Sequence, residues 1–252
     1  MSKNVKIIKL ENVSSTSDFL CEHADVLDEY MAVALTNYQY AGRGQGSNKW
    51  ESEPGKNLLA SILTHPTAIK ASSQFVLSMA GALAVKEAIG HYTGELSLKW
   101  PNDVYWKDSK ISGTLIETRL QGKTIKHCIF GIGINVNQQK FLSDAPNPVS
   151  LAQITGHETP VEEVLEHVIE AFSKYYGMAC EGQWNQISEL YHASLYRREG
   201  FHTYKDCNGQ FLGRIERVDS DGHLILEDGN GNERKYAFKE ISYIINKQHG
   251  KV

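Results

Sequence analysis

The stretch that decides the fold is LSLKWPNDVYWKDSKISGTLIETRLQGKTIKHCIFGIGIN, residues 96–135. Runs rich in β-branched and aromatic residues alternate there with turn residues, and most of the runs have the length of a short strand. Strands that are connected by turns rather than by helices pair with their neighbours in the antiparallel sense. The stretch therefore predicts a mostly antiparallel or mixed sheet, with strands at 96–100, 104–106, 111–119 and 124–135.

The chain before this stretch predicts two more strands and two helices. Apolar runs at 31–36 and 57–64 have the composition of buried strands. Hydroxyl residues after Val13 can cap a helix that continues to about Tyr30. A second helix is predicted at 73–89, where small side chains permit close packing against other elements.

The chain after it predicts helices and then a separate group of strands. Thr159, Pro160 and Glu162 combine an N-cap, a proline at the first helical position and a capping-box residue, and apolar residues follow at helical spacing. Another helix is predicted at 184–195. Beyond it, five short strands alternate with Asn-Gly and Asp-Gly turns, which predicts a small β-barrel. We therefore expect an α+β protein with a main domain over 1–196 and a barrel domain over 197–252.

Composition and charge exclude several classes of function. The 252 residues carry 26 Lys and Arg against 30 Asp and Glu, a formal charge of −4 without long blocks of like charge. Non-specific binding to nucleic acid or to a membrane surface is therefore not expected. The four cysteines show neither disulfide nor zinc-site spacing, which is typical of reduced thiols. No segment resembles a membrane span or a signal peptide, so we predict a cytoplasmic protein.

Three glycines surround a cation in Gly42-Arg43-Gly44-Gln45-Gly46-Ser47. Glycines let backbone N–H groups approach an anion closely, and the guanidinium can add charge-assisted hydrogen bonds. The stretch matches neither G-x-G-x-x-G nor the P-loop pattern. An isolated glycine loop is usually a surface turn, but this one lies between two predicted strands and leads into Lys49-Trp50, which favours a binding function.

A second motif, Lys99-Trp100-Pro101-Asn102-Asp103, ends a predicted strand at its proline. Loops at strand ends commonly carry functional residues. Asn102 can hydrogen-bond a phosphate or a base, and Asp103 can bind Mg²⁺ or accept a proton. The alternative is a simple Asn-Asp turn with Trp100 in the core.

Lysine and glycine mark two further strands. Lys110 stands at a strand entrance three residues before Gly113, where the missing side chain leaves room for a ligand. Gly131 and Gly133 point to the same face of the next strand and leave a slot. The alternatives are a solvated lysine and a bulge or close sheet crossing.

Taken in this order, the stretches resemble the biotin protein ligases. The resemblance implies a catalytic domain similar to class II aminoacyl-tRNA synthetases, followed by an SH3-like barrel. It also implies that biotin is activated with Mg-ATP to biotinyl-5′-AMP and transferred to a lysine of a biotin carboxyl carrier domain. The residues that carry the resemblance are 15–17, 39–44, 49–50, 99–103, 110–113 and 131–135.

The family pattern also assigns roles to residues of this sequence. It places Arg43 and Lys110 as the catalytic cations between the biotin carboxylate and the α-phosphate, with Asp103 binding Mg²⁺ or receiving the proton of the acceptor lysine. The further biotin-binding positions are Ser15, Thr16, Ser17, Gln39, Gly42, Gly44, Gln45 and Gly113. The nucleotide-binding positions are Arg43, Trp50, Asn102 and Asn135, with Trp50 packing on adenine.

Two departures from the family pattern bear on function. Members often carry basic residues where this chain has Gln45 and Asn48, so the adenylate is expected to be held less tightly. Fourteen residues precede Ser15, too few for the DNA-binding domain of some members, so no DNA binding is expected. A homodimer is left open, and the alternatives in function are a lipoate ligase and a non-catalytic ligand-binding or interaction module. The loop 42–48 is expected to be mobile without ligand and ordered with it.

Overall fold

A seven-stranded sheet forms the centre of the protein in a computed structural model, which describes residues 4–46, 48–142 and 147–245. The strand order is β1-β2-β3-β7-β6-β5-β4, and all neighbours pair antiparallel except β1 and β2, which are parallel. The prediction of a mixed sheet is therefore confirmed. The strands are β1 (Val5–Val13), β2 (Met31–Gln39), β3 (Leu58–Thr64), β4 (Leu96–Lys99), β5 (Asp103–Trp106), β6 (Ser109–Gln121) and β7 (Thr124–Ile134).

Strand β1 was not predicted from the sequence. It lies at the edge of the sheet, and none of its nine residues is fully buried. Its sequence, VKIIKLENV, mixes charged and apolar residues without a long apolar run. An edge strand that is only partly buried lacks the apolar pattern by which strands are recognised, so the pairing with β2 becomes visible only in the fold.

Five helices within the described ranges accompany this sheet, and the longest two cover one of its faces. The predicted helix at 73–89 is α2, preceded by a 3₁₀ turn at Ala71–Ser73. Gly81 allows α2 to lie against the ring of Phe130 on β7, since a Cβ there would come within 3.0 Å of Cδ1. The helices are α1 (Thr16–His23), α2 (Phe75–Ile89), α3 (Leu151–Thr155), α4 (Val161–Cys180) and α5 (Trp184–Ala193).

The first predicted helix is too long, because α1 ends at His23 rather than near Tyr30. Continuing it would place Asp25, Asp28 and Glu29 at the negative end of the helix dipole. The chain instead turns at Ala24, and Leu27 packs with Leu20 in a small core between α1 and the sheet.

The predicted N-cap of α4 is wrong. Pro160 occupies the cap position, and the side chain of Thr159 makes no capping bond. Asn137 instead holds the segment before the helix, because its Oδ1 accepts from Thr159 N at 2.9 Å and its Nδ2 donates to Thr159 O at 2.8 Å. A capping box does occur at Ser150 and Gln153, at the start of the short helix α3, which was not predicted.

The tail forms a second, five-stranded antiparallel sheet in the order β11-β10-β9-β8-β12. The predicted hairpin turns are present, with positive φ at Gly209, Gly222 and Gly231. Trp100 Nε1 donates to Gly222 O at 3.0 Å, so this sheet lies beside the loop between β4 and β5. The strands are β8 (His202–Asp206), β9 (Gly209–Val218), β10 (Leu224–Asp228), β11 (Glu233–Tyr236) and β12 (Ser242–Tyr243).

Candidate active site

A cavity of about 610 Å³ opens beside β3, β6, β7 and the loop between β4 and β5. This volume lies in the range of small-molecule sites. Every site residue predicted from the sequence lines the cavity except Gly42, whose carbonyl accepts from Trp50 N at 3.1 Å. The predicted residues that line it are Ser15, Thr16, Ser17, Gln39, Arg43, Gly44, Gln45, Trp50, Asn102, Asp103, Lys110, Gly113 and Asn135.

A chain of hydrogen-bonded hydroxyl groups forms one end of the cavity. Ser15 caps α1, which brings Thr16 and Ser17 into its buried first turn. Gln39, at the end of β2, accepts from Thr16 N at 2.8 Å through Oε1. Because that oxygen faces Thr16, the Gln39 amide nitrogen and the hydroxyls present both donors and acceptors to a polar ligand group.

Ser61 completes this end of the cavity and was missed by the sequence analysis. Its hydroxyl lies 2.7 Å from Thr16 Oγ1 and 2.9 Å from Ser17 Oγ, and the residue is fully buried. The available signal was a hydroxyl residue in the middle of the apolar strand LLASILT. A buried polar side chain in such a strand needs a partner, and its partners here are the cavity hydroxyls.

The glycine loop forms a small hairpin over the cavity. Arg43 and Lys49 make an antiparallel bridge, and Gly44 N donates to Asn48 O at 2.7 Å. Ser47 lies outside the described residues. Gly46 has a φ of 68°, whereas Gly44 does not have positive φ, so only Gly46 uses a backbone conformation that favours glycine.

Arg43 is already engaged by carboxylates. Its guanidinium makes a bidentate contact with Glu117 at 3.1 and 3.0 Å, and Nη2 also lies 2.6 Å from Asp18 Oδ1. All three side chains are about two-fifths exposed. Neither carboxylate was predicted, because Glu117 lies 74 residues and Asp18 lies 25 residues from Arg43 in the chain. An anionic ligand at Arg43 therefore competes with these two groups.

Lys110 and Asp103 form an ion pair at the other end of the cavity. Lys110 Nζ lies 2.7 Å from Asp103 Oδ2, and each side chain is about one-fifth exposed. The strand pairing produces this contact, since β5 lies between β4 and β6. Asn102 and Asn135 are buried beside it, and Asn135 Nδ2 donates to Val149 O at 3.1 Å.

The predicted glycine slot is filled by protein side chains. A Cβ on Gly131 would lie 2.6 Å from Ser17 Oγ, and a Cβ on Gly133 would lie 2.6 Å from Cζ2 of Trp50. A Cβ on Gly113 would lie 3.1 Å from Cζ3 of the same indole and 3.1 Å from Nζ of Lys110. The slot therefore holds Ser17 and Trp50 in this structure. The buried Trp50 indole N–H has no hydrogen-bond partner among residues 4–46, 48–142 and 147–245.

The described part of the chain contains no cluster of three His, Cys, Asp or Glu residues that could hold a metal ion. Mg²⁺ needs no such cluster when it arrives on a nucleotide, since it then uses phosphate oxygens and one or two carboxylates. Asp103 provides one carboxylate in the cavity. None of the four cysteines forms a disulfide bond. No helix within the described ranges is long and apolar enough to cross a membrane.

Comparison with known proteins identifies relatives of this chain. The model of the biotin/lipoate A/B protein ligase family matches residues 10–135. The bifunctional ligase/repressor BirA of Bacillus spizizenii is 28% identical over 92% of this chain and 72% of its own length. The biotin–[acetyl-CoA-carboxylase] ligase of Paracoccus denitrificans is 29% identical over 80% of this chain and 86% of its own.

The biotin protein ligase of Aquifex aeolicus, solved in complex with biotin and ATP, has a similar fold. It aligns with a TM-score of 0.77 and 28% identity, covering 94% of this chain and 97% of that chain. The similarity therefore extends through both sheets.

Proposed function

The chain belongs to the biotin/lipoate A/B protein ligase family, and from this membership we infer that it is a biotin protein ligase. It activates biotin with ATP to biotinyl-5′-AMP and then transfers biotin to a lysine of a carrier protein. The observation that carries the proposal is a single cavity joining a hydroxyl-lined end to a cationic end. The lipoate alternative is not favoured, because the Paracoccus and Aquifex relatives are biotin ligases.

In the first half-reaction, we propose that the hydroxyl end binds the ureido group of biotin. Thr16, Ser61 and Gln39 provide donors and acceptors there, which suits a group with two N–H donors and one carbonyl. The carboxylate tail of biotin then points toward the cationic end of the cavity. Such complementarity would favour a cyclic urea over the apolar dithiolane ring of lipoate.

At the cationic end, we propose that Arg43 and Lys110 hold the two anions that react. A biotin carboxylate oxygen bonds to the α-phosphorus, and pyrophosphate leaves with the electron pair of the broken bond. Two anions repel one another as they approach, and fixed cations lower the barrier by stabilising the charge that develops. Mg²⁺ arrives with ATP as part of the substrate, and Asp103 can contact it.

In the second half-reaction, the acceptor lysine attacks the carbonyl carbon of the adenylate and AMP leaves. The attacking amine must lose a proton, and we propose Asp103 as the group that accepts it. Asp103 is bound to Lys110 in the ligand-free protein. Once the ammonium of Lys110 turns to the ligand phosphate, the carboxylate becomes available to the incoming amine.

The acceptor is a biotin carrier domain, by analogy with the acetyl-CoA-carboxylase ligase of Paracoccus. Cytoplasmic location and the absence of DNA binding stay predictions from the sequence. So does weaker retention of the adenylate, which would follow from Gln45 and Asn48 in the glycine loop.

The test is exchange of radiolabelled pyrophosphate into ATP, with biotin and lipoate as the competing acids. We expect exchange that depends on biotin and is absent with lipoate. Exchange with lipoate but not with biotin would contradict the proposal. Exchange with neither acid would indicate a non-catalytic binding module.

A further inference from the structure

Lys99 is a partly buried cation in the cavity wall to which the proposed reaction assigns no role. It is the last residue of β4, and its ammonium lies 4.9 Å from the ring centre of Tyr243 and 5.5 Å from that of Tyr105. No carboxylate of the described residues lies within ion-pair distance of it. A lysine taken partly out of water without a paired carboxylate is costly, so the site favours an anion from outside the protein.

The strand register concentrates positive charge around Lys99. It pairs directly with Asp103 across the β4–β5 hairpin, and Tyr105, two residues farther on, pairs with Lys110. Residues opposite one another in a pair, and residues two apart in a strand, share one face. Two lysines therefore face the cavity with one aspartate between them, and that aspartate contacts Lys110.

The titration of Lys99 agrees with this excess of positive charge. Burial lowers the pKa of its ammonium, Asp103 opposes that effect, and the charges of Lys110 and Arg197 lower the pKa further. Arg197 cannot relieve the excess, because it is itself a cation and donates to the carbonyl of Ile244 at 3.0 Å.

ATP carries two phosphate groups to which no residue has yet been assigned. Arg43 and Lys110 are assigned to the carboxylate and the α-phosphate, which leaves the β- and γ-phosphates of ATP unassigned. The glycine loop offers Gln45 and Asn48 rather than further cations. We propose that Lys99 binds the β,γ-phosphates of ATP and the pyrophosphate that leaves, an inference that rests on the proposed function.

At this position Lys99 stabilises pyrophosphate, the leaving group of the first half-reaction. As the carboxylate oxygen bonds to the α-phosphorus, the bridging oxygen departs with its electron pair and the pyrophosphate gains negative charge. Lys99 interacts with that charge and makes no contact with the adenylate, which lacks both phosphates. Its loss should therefore affect ATP and pyrophosphate and spare biotinyl-5′-AMP.

The test compares Lys99→Met with the wild type. Methionine keeps the apolar contact with the two tyrosine rings and removes the charge. We expect the KM for ATP and the Kd for magnesium pyrophosphate, measured by calorimetry, to rise about tenfold to a hundredfold, the usual effect of losing a hydrogen bond to a charged group. Transfer of biotin from supplied biotinyl-5′-AMP should proceed at the wild-type rate.

Lys107→Met is the matched control. Lys107 lies in the turn after β5, and its ammonium is 4.6 Å from the ring centre of Trp106, but it pairs with Glu95 and does not line the cavity. Its substitution should leave every constant unchanged. Lys99→Arg should recover most of the pyrophosphate binding, and thermal unfolding of each variant reports whether it is folded.

Two outcomes would overturn the proposal. Unchanged pyrophosphate binding in a folded Lys99→Met protein would remove Lys99 from the phosphate site. Slower transfer from supplied adenylate, with ATP binding intact, would assign Lys99 to positioning Asp103 instead. Pyrophosphate binding needs no biotin, so this measurement remains decisive if biotin-dependent exchange fails and the proposed function is wrong.

Discussion

At the residue scale, both proposed catalytic cations are paired with carboxylates before any substrate binds. Lys110 holds Asp103, and Arg43 holds Glu117 and Asp18. These pairs keep two cations fixed in a cavity whose wall also carries Lys49, Lys99 and Glu51. A ligand carboxylate or phosphate competes with these carboxylates for the two cations and adds its own negative charge to the site.

Replacing Lys110 by Ala should lower single-turnover adenylate formation by about 10² to 10³-fold, the range for losing one preorganised donor. The fold should persist, because Lys110 is one-fifth exposed and its backbone bonds to Asn147 and Val149 remain. Rapid-quench measurement of biotinyl-5′-AMP checks the rate. A variant that keeps the wild-type rate would show that Lys110 takes no part in the chemistry, and Lys107→Ala provides a control cation outside the cavity.

At the element scale, the glycine loop and the barrel hairpins use positive φ for different purposes. In the barrel, glycines at 209, 222 and 231 close turns between strands, which is a local requirement. In the loop, Gly46 turns the chain above the cavity, and a Cβ there would meet Lys239 of the barrel, 3.1 Å from its Cε. The turn at Gly46 therefore lies next to a lysine from the tail of the chain.

The two loop glycines should differ in their response to alanine. Gly46→Ala forces a side chain into positive φ, whereas the flexible end of Lys239 can move aside, so backbone strain alone should lower the affinity for biotin and ATP about fivefold to tenfold. Gly44→Ala has no such backbone strain, and its close contact with Asn48, 3.2 Å between the two Cβ atoms, needs a shift of only a few tenths of an ångström, so its effect should be smaller than threefold. Calorimetry with both ligands measures this. Equal losses in the two variants would indicate that loop entropy rather than backbone strain controls binding.

Hydrogen exchange across residues 41–50 tests the predicted ordering of the loop. The backbone bonds from Gly44 to Asn48 and from Trp50 to Gly42 already close the loop without ligand. We expect the added protection with biotin and ATP to lie near Arg43, where the carboxylate partners must be displaced. Identical protection with and without ligand would show that the loop is a fixed part of the scaffold.

The β10–β11 turn should make the stability of the second sheet depend on pH in the acid range. Asp228 accepts from the backbone N–H groups of Asn232 and Asn230 and from Arg234, and these bonds lower its pKa to about 2. A carboxyl with a lowered pKa stabilises the fold above its ordinary pKa, and this stabilisation disappears as the pH falls toward 2. Asp228→Asn should therefore lower the melting temperature at pH 7 and weaken its fall between pH 4 and pH 2.

Thermal melts at a series of pH values check this prediction. Glu189→Gln, on the exposed side of α5, is the control and should leave both the melting temperature and its pH dependence unchanged. A pH profile of Asp228→Asn that superimposes on the wild type would show that another carboxyl governs acid unfolding.

At the scale of the whole molecule, one hydrophobic core extends through both sheets. Tyr204, Leu224 and Tyr236 of the barrel belong to the same buried cluster as Leu83 of α2 and Phe130 of β7. Polar contacts join the two parts as well, since Trp100 Nε1 donates to Gly222 O at 3.0 Å and Val218 N donates to His192 Nε2 at 2.8 Å. The division into domains at 196 and 197 stays a prediction from the sequence.

A continuous core predicts a single unfolding transition. Tryptophan fluorescence reports on the main sheet, since all four tryptophans precede residue 197, whereas far-ultraviolet circular dichroism reports on both sheets. The two urea curves should coincide. Trp100→Phe removes the bond to Gly222 and should lower the unfolding free energy by about 1 to 3 kcal/mol in both signals together. Separate midpoints would show that the barrel unfolds independently.

The sequence by itself determined the features that depend on spacing along the chain. The apolar runs and turn residues of 96–135 predicted the sheet, and Asn-Gly and Asp-Gly pairs predicted the barrel hairpins, because period and turn chemistry are local properties. Nearly all the site residues that motif order predicted line the cavity, although they are fewer than half of its lining. The sequence analysis did not predict the end of α1, the N-cap of α4 or the edge strand β1, since each depends on what the element packs against.

Only the tertiary structure decided which distant groups meet. Glu117 reaches Arg43 across 74 residues, Ser61 joins Thr16 across 45, and Trp50 lies on Gly133 in the slot predicted for a ligand. The surroundings of Lys99 are decided in the same way, by its contact with Tyr243 and by the register of strands β4, β5 and β6. Spacing fixes the face on which a side chain lies, whereas packing between elements fixes its partners, and these contacts arise only when the chain has folded.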